Sequence, residues 1–176
     1  MGDEMGRLYR VVVALCVAVQ LAACAGTSAL ESQSRQKEAR LARLYFLREK
    51  GVLGALGGTT PTAEIKIDGK SVGSVTNGSY IFVDRPPGVY KLAVQSGLSM
   101  TFETTAQVEA GKEYYFNMGV PQTGAFGTDM LNQAYAGGKG KQMPAQSPLM
   151  NGFAGTVFYT LDPATGAAEV AQLKAP

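Results

Sequence analysis

The chain has 176 residues, which suits one domain with appendages and leaves little room for two. Its 16 basic and 14 acidic residues give a net charge of +2 without a basic run, so nucleic-acid binding is not predicted. Histidine is absent, which removes the commonest general base and the commonest metal ligand from any enzyme hypothesis.

Residues 1–23 have the pattern of a secretory signal peptide. Two arginines in the first ten residues precede an apolar run from 11 to 23, which is shorter than the roughly 20 apolar residues that a bilayer span needs. The run ends in Leu21-Ala22-Ala23-Cys24, which resembles the lipobox of bacterial lipoproteins. The resemblance implies cleavage between Ala23 and Cys24 and a diacylglycerol group on the Cys24 thiol. The alternative is an uncleaved helix that ends in a buried cysteine.

The residues around this motif bear on processing and sorting. Asp3 and Glu4 are atypical of a signal sequence, whose first residues are usually basic. Met1 and Met5 are therefore alternative start sites, since a start at Met5 would exclude both acidic residues. Cleavage would also remove Cys16, the other cysteine of the chain, so no intramolecular disulfide is expected. Ala25, rather than aspartate, follows the cysteine, and the resemblance then implies an outer-membrane lipoprotein that faces the periplasm.

Residues 24–40 are polar and carry charges of both signs. Ser28 and Glu31 have the spacing of a helix capping box. We expect a polar tether, either a short solvated helix or a flexible segment, that holds the domain off the lipid headgroups.

A single domain is expected over 41–176. The apolar run 44–47 predicts a central strand that is buried on both faces. The glycine-punctuated loop 51–58 carries three large apolar residues. They either pack under a sheet edge or contact a membrane or a partner.

Residues 64–94 place four short β-branched and aromatic runs between turn signals, which predicts a small antiparallel sheet. Asp68-Gly69 and Asn77-Gly78 are typical of tight hairpins. Pro87-Gly88 is typical of a type II turn.

Further strands are predicted at 100–108 and 113–118, the second as an aromatic core strand. The glycine-rich segment 120–155 is expected to be a long insertion with low order around 137–148 and a possible short helix at 129–136.

The last part of the chain returns to a strand pattern at 156–161. Residues 167–173 are predicted as a closing strand in preference to a short helix.

Four motifs in this order carry a more specific resemblance. They are Ala42–Arg48 (ARLYFLR), Ile67–Gly73 (IDGKSVG), Asn77–Tyr80 (NGSY) and Val83–Gly88 (VDRPPG). Together they resemble one family of bacterial lipoproteins of unassigned function, and the latter half also resembles PEGA-type modules, which are small β-sandwiches of bacterial surface proteins. The resemblance covers roughly residues 40 to 120. It implies an all-β, antiparallel β-sandwich of about seven to nine short strands, and it transfers no catalytic residue.

No constellation of residues predicts catalysis, a metal site or a cofactor. Glu64, Asp68 and Asp84 could in principle serve as acid and base, but the two aspartates are explained by adjacent turns. The strand tyrosines are interpreted as core residues, in preference to a shared platform for a glycan or peptide. They are Tyr45, Tyr80, Tyr90, Tyr114, Tyr115 and Tyr159.

We therefore predict a non-catalytic, lipid-anchored protein that binds or scaffolds an envelope protein or peptidoglycan, with the membrane as its second partner. An edge strand, the loop 51–58 or the insertion 120–155 would provide the contact. The alternative is an envelope hydrolase or glycan-processing enzyme, which would require two carboxyl groups converging in a cleft.

Overall fold

A computed structural model describes residues 26–51, 61–122, 129, 138–147 and 154–175. Ten β-strands and one α-helix are bounded within these residues. They are β1 (Ser28–Ala29), β2 (Ala42–Arg48), β3 (Ala63–Ile67), β4 (Lys70–Val75), β5 (Ser79–Arg85), β6 (Gly88–Ser96), β7 (Phe102–Val108), β8 (Glu113–Gly119), β9 (Lys141–Gln142), β10 (Val157–Leu161) and α1 (Pro163–Val170). Among the residues described, no helix is long and apolar enough to cross a membrane.

The strands form two five-stranded sheets. The first has the order β1-β4-β3-β6-β7 and is antiparallel throughout. The second has the order β5-β2-β8-β10-β9, and only its β2–β8 pairing is parallel. The predicted all-β sandwich is thus confirmed, with a mixed second sheet.

The hydrophobic core lies between the two sheets. Strand β7 shows why, since Phe102 and every second residue after it are buried while the residues between them are partly or fully exposed. Phe102 meets Phe158 of the second sheet edge-to-face, with 6.2 Å between ring centroids. Phe46 and Phe116 extend this aromatic contact across β2 and β8. The predicted burial of the 44–47 strand on both faces is confirmed.

The turn signals gave correct and incorrect predictions. Asp68 and Gly69 have φ values of 49° and 78° and join β3 to β4 as a tight hairpin, as predicted. The hairpin predicted at Asn77-Gly78 is wrong, because β4 and β5 belong to different sheets. Gly88 begins β6 without a positive φ, so the type II turn at Pro87-Gly88 is also wrong. Residues 64–94 therefore span both sheets instead of forming one.

Residues 26–40 differ from the predicted tether. They contain no helix, and β1 pairs with β4. The Gln33 side chain donates to the Phe82 carbonyl (2.7 Å) and accepts from the Phe82 amide (2.9 Å), as a neighbouring strand would. Glu31 forms an ion pair with Arg85 at 2.6 Å. The polar side chains are thus used to pair with edge strand β5, which is why the segment is attached to the domain.

The described part of the insertion also packs against the domain. Strand β9 pairs with β10, and the Met143 amide donates to the Phe158 carbonyl at 2.8 Å with the Met143 side chain buried. Low order was expected here, and residues 138–147 instead pack against the second sheet. The predicted loop 51–58 and helix 129–136 lie outside the described residues, apart from Gly51 and Asp129. The signal peptide, with Ala23 and Cys24, lies outside them as well.

Residues 163–170 form a helix, whereas the sequence predicts a strand over 167–173. The Asp162 side chain accepts from the Thr165 amide at 3.0 Å and caps the N-terminus of α1, and Pro163 begins the helix. Gly166 is the buried residue of α1, and it lies against the Tyr115 ring. The cap and the contact with β8 together select the helix, so the predicted closing strand at 167–173 is wrong.

Candidate functional site

The outer face of the second sheet, called here the covered face, carries a group of polar and aromatic side chains outside the core between the sheets. It carries Arg43, Tyr45 and Leu47 of β2, Tyr80, Phe82 and Asp84 of β5, and Glu113, Tyr115 and Asn117 of β8. Residues 31–37 cover one side of it and α1 covers the other.

An ion pair between the buried Arg43 and the partly buried Asp84 lies where residues 31–37 cross the face. The Arg43 guanidinium donates to both carboxylate oxygens of Asp84 at 2.8 Å, and also to the backbone carbonyls of Ser34 and Gln36 at 3.0 Å. Its central carbon lies 4.1 Å above the Phe82 ring. The hydrogen bond to Asp84, opposed by burial, raises the pKa of Arg43. The Asp84 carboxylate is therefore held by Arg43. The prediction that an adjacent turn explains Asp84 is wrong.

Three tyrosines and one phenylalanine share this face. Tyr45 stacks on Tyr115 with 4.8 Å between centroids and an angle of 4° between planes, and it also contacts Phe82 and Tyr80 at 5.5 and 6.1 Å. Tyr115 is only 4% exposed, so these rings are not an open platform. The core interpretation is confirmed for Tyr159, which is fully buried between the sheets, whereas Tyr115 is buried on the covered face.

The Glu113 carboxylate is held by three donors. Lys37 approaches it to 2.5 Å, and the hydroxyls of Tyr115 and Tyr45 donate to it at 3.1 and 3.4 Å. Burial acts to raise the pKa of Glu113, but the bonds from Lys37 and Tyr115 outweigh it and lower the pKa. Burial and the adjacent carboxylate raise the pKa of Tyr115. At neutral pH Glu113 is therefore ionised and Tyr115 protonated, which suits a fixed contact better than proton transfer.

A second carboxylate cluster lies near the other end of the same face. Glu49 accepts from the Asn117 amide at 2.6 Å, and the Lys139 ammonium lies 3.7 Å from Glu49 and 2.9 Å from Glu169. Burial raises the pKa of Glu49, with Lys139 opposing it. Sequence reasoning missed this cluster, because its members lie far apart in the sequence, from Glu49 to Glu169, and none belongs to a recognisable motif.

The carboxylates considered in the sequence do not converge. Asp68 lies in the turn between β3 and β4, and its carboxylate accepts from the Lys91 amide of the neighbouring strand β6 at 2.9 Å. Glu64 lies on the outer face of the first sheet, 3.4 Å from Lys66. Asp84 is on the other sheet. Among the described residues, no group of three or more acidic or cysteine side chains is placed to hold a metal ion.

Two depressions open at the end of the sandwich where Glu113 lies. One, of about 440 Å³, lies beneath residues 31–41 and reaches Asp84. The other, of about 540 Å³, lies between Gln107 on β7 and Leu161 on β10. Its floor is formed by Tyr114, Tyr115 and Phe116, and Lys112, Glu113 and Pro163 also line it. We call this second depression the β7 groove.

The model of one protein family, "Protein of unknown function (DUF2846)", matches residues 38–128, which are 91 of the 176 residues. The chain belongs to this family. The DUF2846 match takes in β2 to β8, and so contains Arg43, Glu113 and the aromatic residues of the covered face, while β1, β9, β10 and α1 lie outside it. No curated protein and no solved structure matches the chain.

Proposed function

We propose that the protein is an outer-membrane lipoprotein, anchored by a lipid on Cys24, whose sandwich faces the periplasm and binds or scaffolds another envelope component without catalysis. The support for the anchor is the signal-like segment 1–23 that ends in Leu21-Ala22-Ala23-Cys24, followed by Ala25. The resemblance of the β2–β6 motifs to bacterial lipoproteins and to PEGA-type modules is part of the same proposal.

The β7 groove is the observation that carries the binding proposal. Strand β7 ends its sheet, so one side of its backbone faces away from β6. The groove meets this edge at Gln107, near the end of β7, and its floor is largely aromatic. An exposed strand edge beside apolar side chains is the arrangement that accepts an extended segment of a partner as an added strand.

The backbone of β7 indicates where such a strand would pair. The Glu103 carbonyl points away from β6 and accepts from the Gln146 amide at 2.8 Å. Alternation along the strand then turns the backbone groups of Thr105 and Gln107 to the same side. Since no strand of the described residues pairs with that side of β7, we assign the partner to it, as an extended segment of another envelope protein.

The anchor is tested with Cys24→Ser. The wild-type protein is expected in the outer-membrane fraction and labelled by a radioactive fatty acid, whereas the variant loses the label and leaves that fraction or accumulates unprocessed. Equal labelling of the two proteins would overturn the anchor.

Binding at β7 is tested with a photo-cross-linking residue at Gln107 in the full-length protein in intact cells. A discrete protein adduct is expected, and it should be lost in Thr105→Pro, which removes an outward N–H group from an edge strand. Thr105→Ala should retain the adduct, and the same cross-linker at Lys66, on the outer face of the first sheet, should not form it.

Several outcomes would contradict this assignment. An adduct that persists in Thr105→Pro would exclude strand addition. An adduct that glycan-cleaving enzymes remove would assign peptidoglycan to the groove. The same adduct at Lys66 would show that the contact is not specific for β7.

One arrangement supports the alternative, an envelope hydrolase or glycan-processing enzyme that uses carboxylates. Glu49 and Glu169 converge, although on the Lys139 ammonium. Hydrolysis of purified peptidoglycan that is abolished by both Glu49→Gln and Glu169→Gln would establish the enzyme in place of the binding module.

A further inference from the structure

The described chain begins at one end of the sandwich, called here the anchor end. The Thr27 hydroxyl accepts from the Thr76 amide at 3.0 Å and contacts the Ser79 hydroxyl, so Thr27 is fixed where β4 ends and β5 begins. Ser28 pairs with Ser74, which is itself opposite Glu64. Thr27 therefore lies level with the end of β4 and the start of β3.

The hairpin between β6 and β7 turns at the same end. Ala63 pairs with Ser96, and a Cβ atom placed on Gly97 would lie 3.4 Å from Pro61, which precedes β3. The tip of this hairpin, Leu98, is thus at the level of Thr27. It is three strand spacings away across the first sheet, or about 14 Å.

The chain segment between Cys24 and this end is short. Cys24 is three positions before Thr27 in the sequence, and a fully extended chain spans about 10 Å over three residue steps. A lipid on Cys24 therefore cannot hold the domain far from the headgroups, because the polar residues that were expected to act as a spacer pair with β4 and β5 instead.

The anchor end carries apolar side chains that water surrounds. Leu98 is 106% exposed and Met100 is 47% exposed. Two other large apolar residues of the described chain are exposed. Leu30 lies beside the middle of β4, and Val89 lies at the opposite end of β6. Exposed leucine and methionine on a hairpin tip are costly in water and are stabilised when they enter an acyl-chain region.

The charges of this end are complementary to an anionic surface. Lys50 packs on Gly78, and the Lys174 amide donates to the Gly78 carbonyl at 3.1 Å, so both lysines lie beside the β4–β5 connection. Of the described carboxylates at this end, Glu49 is buried against Asn117, Glu64 is paired with Lys66, and Glu169 is paired with Lys139. Anionic phospholipid headgroups attract lysines in such positions.

We propose that the anchor end is a second membrane contact, in which Leu98 and Met100 insert into the bilayer and Lys50 and Lys174 lie at its anionic headgroups. This inference rests on the lipid anchor of the proposed function. It adds the orientation of the domain, with the β7 groove and Glu113 at the end away from the membrane, where a periplasmic partner reaches them.

The test places a thiol-reactive fluorophore at one of two positions, Leu98 in the hairpin after β6 or Val89 near the start of β6. Leu98→Cys and Val89→Cys are made separately in the full-length, processed protein, in which the lipid occupies the Cys24 thiol. Val89 is the matched control, because it is also apolar and exposed (67%) and lies about 23 Å from the Ser96 end of β6. The labelled proteins are reconstituted into phosphatidylethanolamine–phosphatidylglycerol vesicles with and without brominated acyl chains.

The expected result is loss of fluorescence at position 98 in brominated vesicles and unchanged fluorescence at position 89. Vesicle flotation and the mass of the N-terminal peptide report the anchor separately. Unquenched fluorescence at 98 in protein that floats and carries the lipid would overturn the membrane contact and leave the anchor intact. Quenching at 89 instead would reverse the orientation. Protein without lipid on Cys24 would overturn the anchor, and the membrane contact with it.

Discussion

The two sheets differ most on their outer faces. On the first sheet, Lys91 and Glu103 form an ion pair at 2.8 Å with both side chains about two-fifths exposed. On the second, Arg43 and Asp84 form an ion pair of the same length, but the Arg43 side chain is only 5% exposed. The first face is open to water, whereas residues 31–37 and α1 cover the second.

The difference shows that an ion pair on the outer face of a sheet affects stability differently when it is exposed than when it is buried. An exposed ion pair stabilises a protein little, because water solvates the separated charges almost as well. A buried pair contributes mainly through the large cost of leaving one member without the other. On the covered face, the Arg43 guanidinium also donates to the Ser34 and Gln36 carbonyls, so this ion pair holds residues 31–37 against the sheet.

The largest expected effect comes from breaking the covered ion pair. Asp84→Ala leaves the Arg43 guanidinium buried without its carboxylate, and we expect a loss of about 3 kcal/mol in the free energy of unfolding. Glu103→Ala, on the open face, is the matched change and should cost roughly 0.5 kcal/mol. Urea denaturation of both variants measures the difference, and equal losses would show that the covered face is as hydrated as the open one.

The next effect concerns the cover itself. Gly166→Ala would normally stabilise a helix by about 1 kcal/mol. Here the added Cβ atom would lie 2.6 Å from the Tyr115 Cβ atom, so α1 must move away from β8. We expect a net loss of about 1 kcal/mol in thermal or urea unfolding.

Ala168→Gly is the control for helix propensity, because Ala168 is exposed on the same helix. It should also destabilise, through the lower propensity of glycine. A stabilising Gly166→Ala would mean that α1 does not pack on the covered face.

The smallest effects distinguish Glu113 from Glu49 by their dependence on pH. The pKa of Glu113 is lowered from 4.5, where burial is outweighed by the bonds from Lys37 and Tyr115. Its contribution is therefore present above pH 4.5 and lost as the pH falls through the folded-state pKa. Glu113→Gln should lower the free energy of unfolding at neutral pH, and its difference from wild type should vanish in acid.

The contribution of Glu49 to stability should change with pH in the opposite direction. Burial raises its pKa from 4.5, so the folded protein holds the proton more tightly than the unfolded chain does. Stability is then complete below pH 4.5 and falls as the pH rises through the folded-state pKa. Glu49→Gln should gain stability relative to wild type between acid and neutral pH. If the difference in unfolding free energy from wild type changed with pH in the same direction for both glutamine variants, the opposite pKa shifts of Glu113 and Glu49 would be contradicted.

Local pattern determined a large part of the fold. The alternation of Phe102 and its successors, the apolar run at 44–47 and the Asp68-Gly69 pair predicted strands and a hairpin correctly, because the signal for each lies within a few residues. The motif at Cys24 likewise gave a site prediction from four residues, which stays a prediction.

Only the tertiary structure decided which sheet each strand joins and which polar residues become buried. Asn77-Gly78 specifies a turn but not that β5 pairs with β2 in the other sheet, since pairing depends on contacts far along the chain. Arg43 and Asp84 are 41 residues apart and read as ordinary surface charges until the chain brings residues 31–37 over them. The predicted spacer became an edge of the sandwich for the same reason, because the free backbone of β5 offered Gln33 the partners that water would otherwise supply.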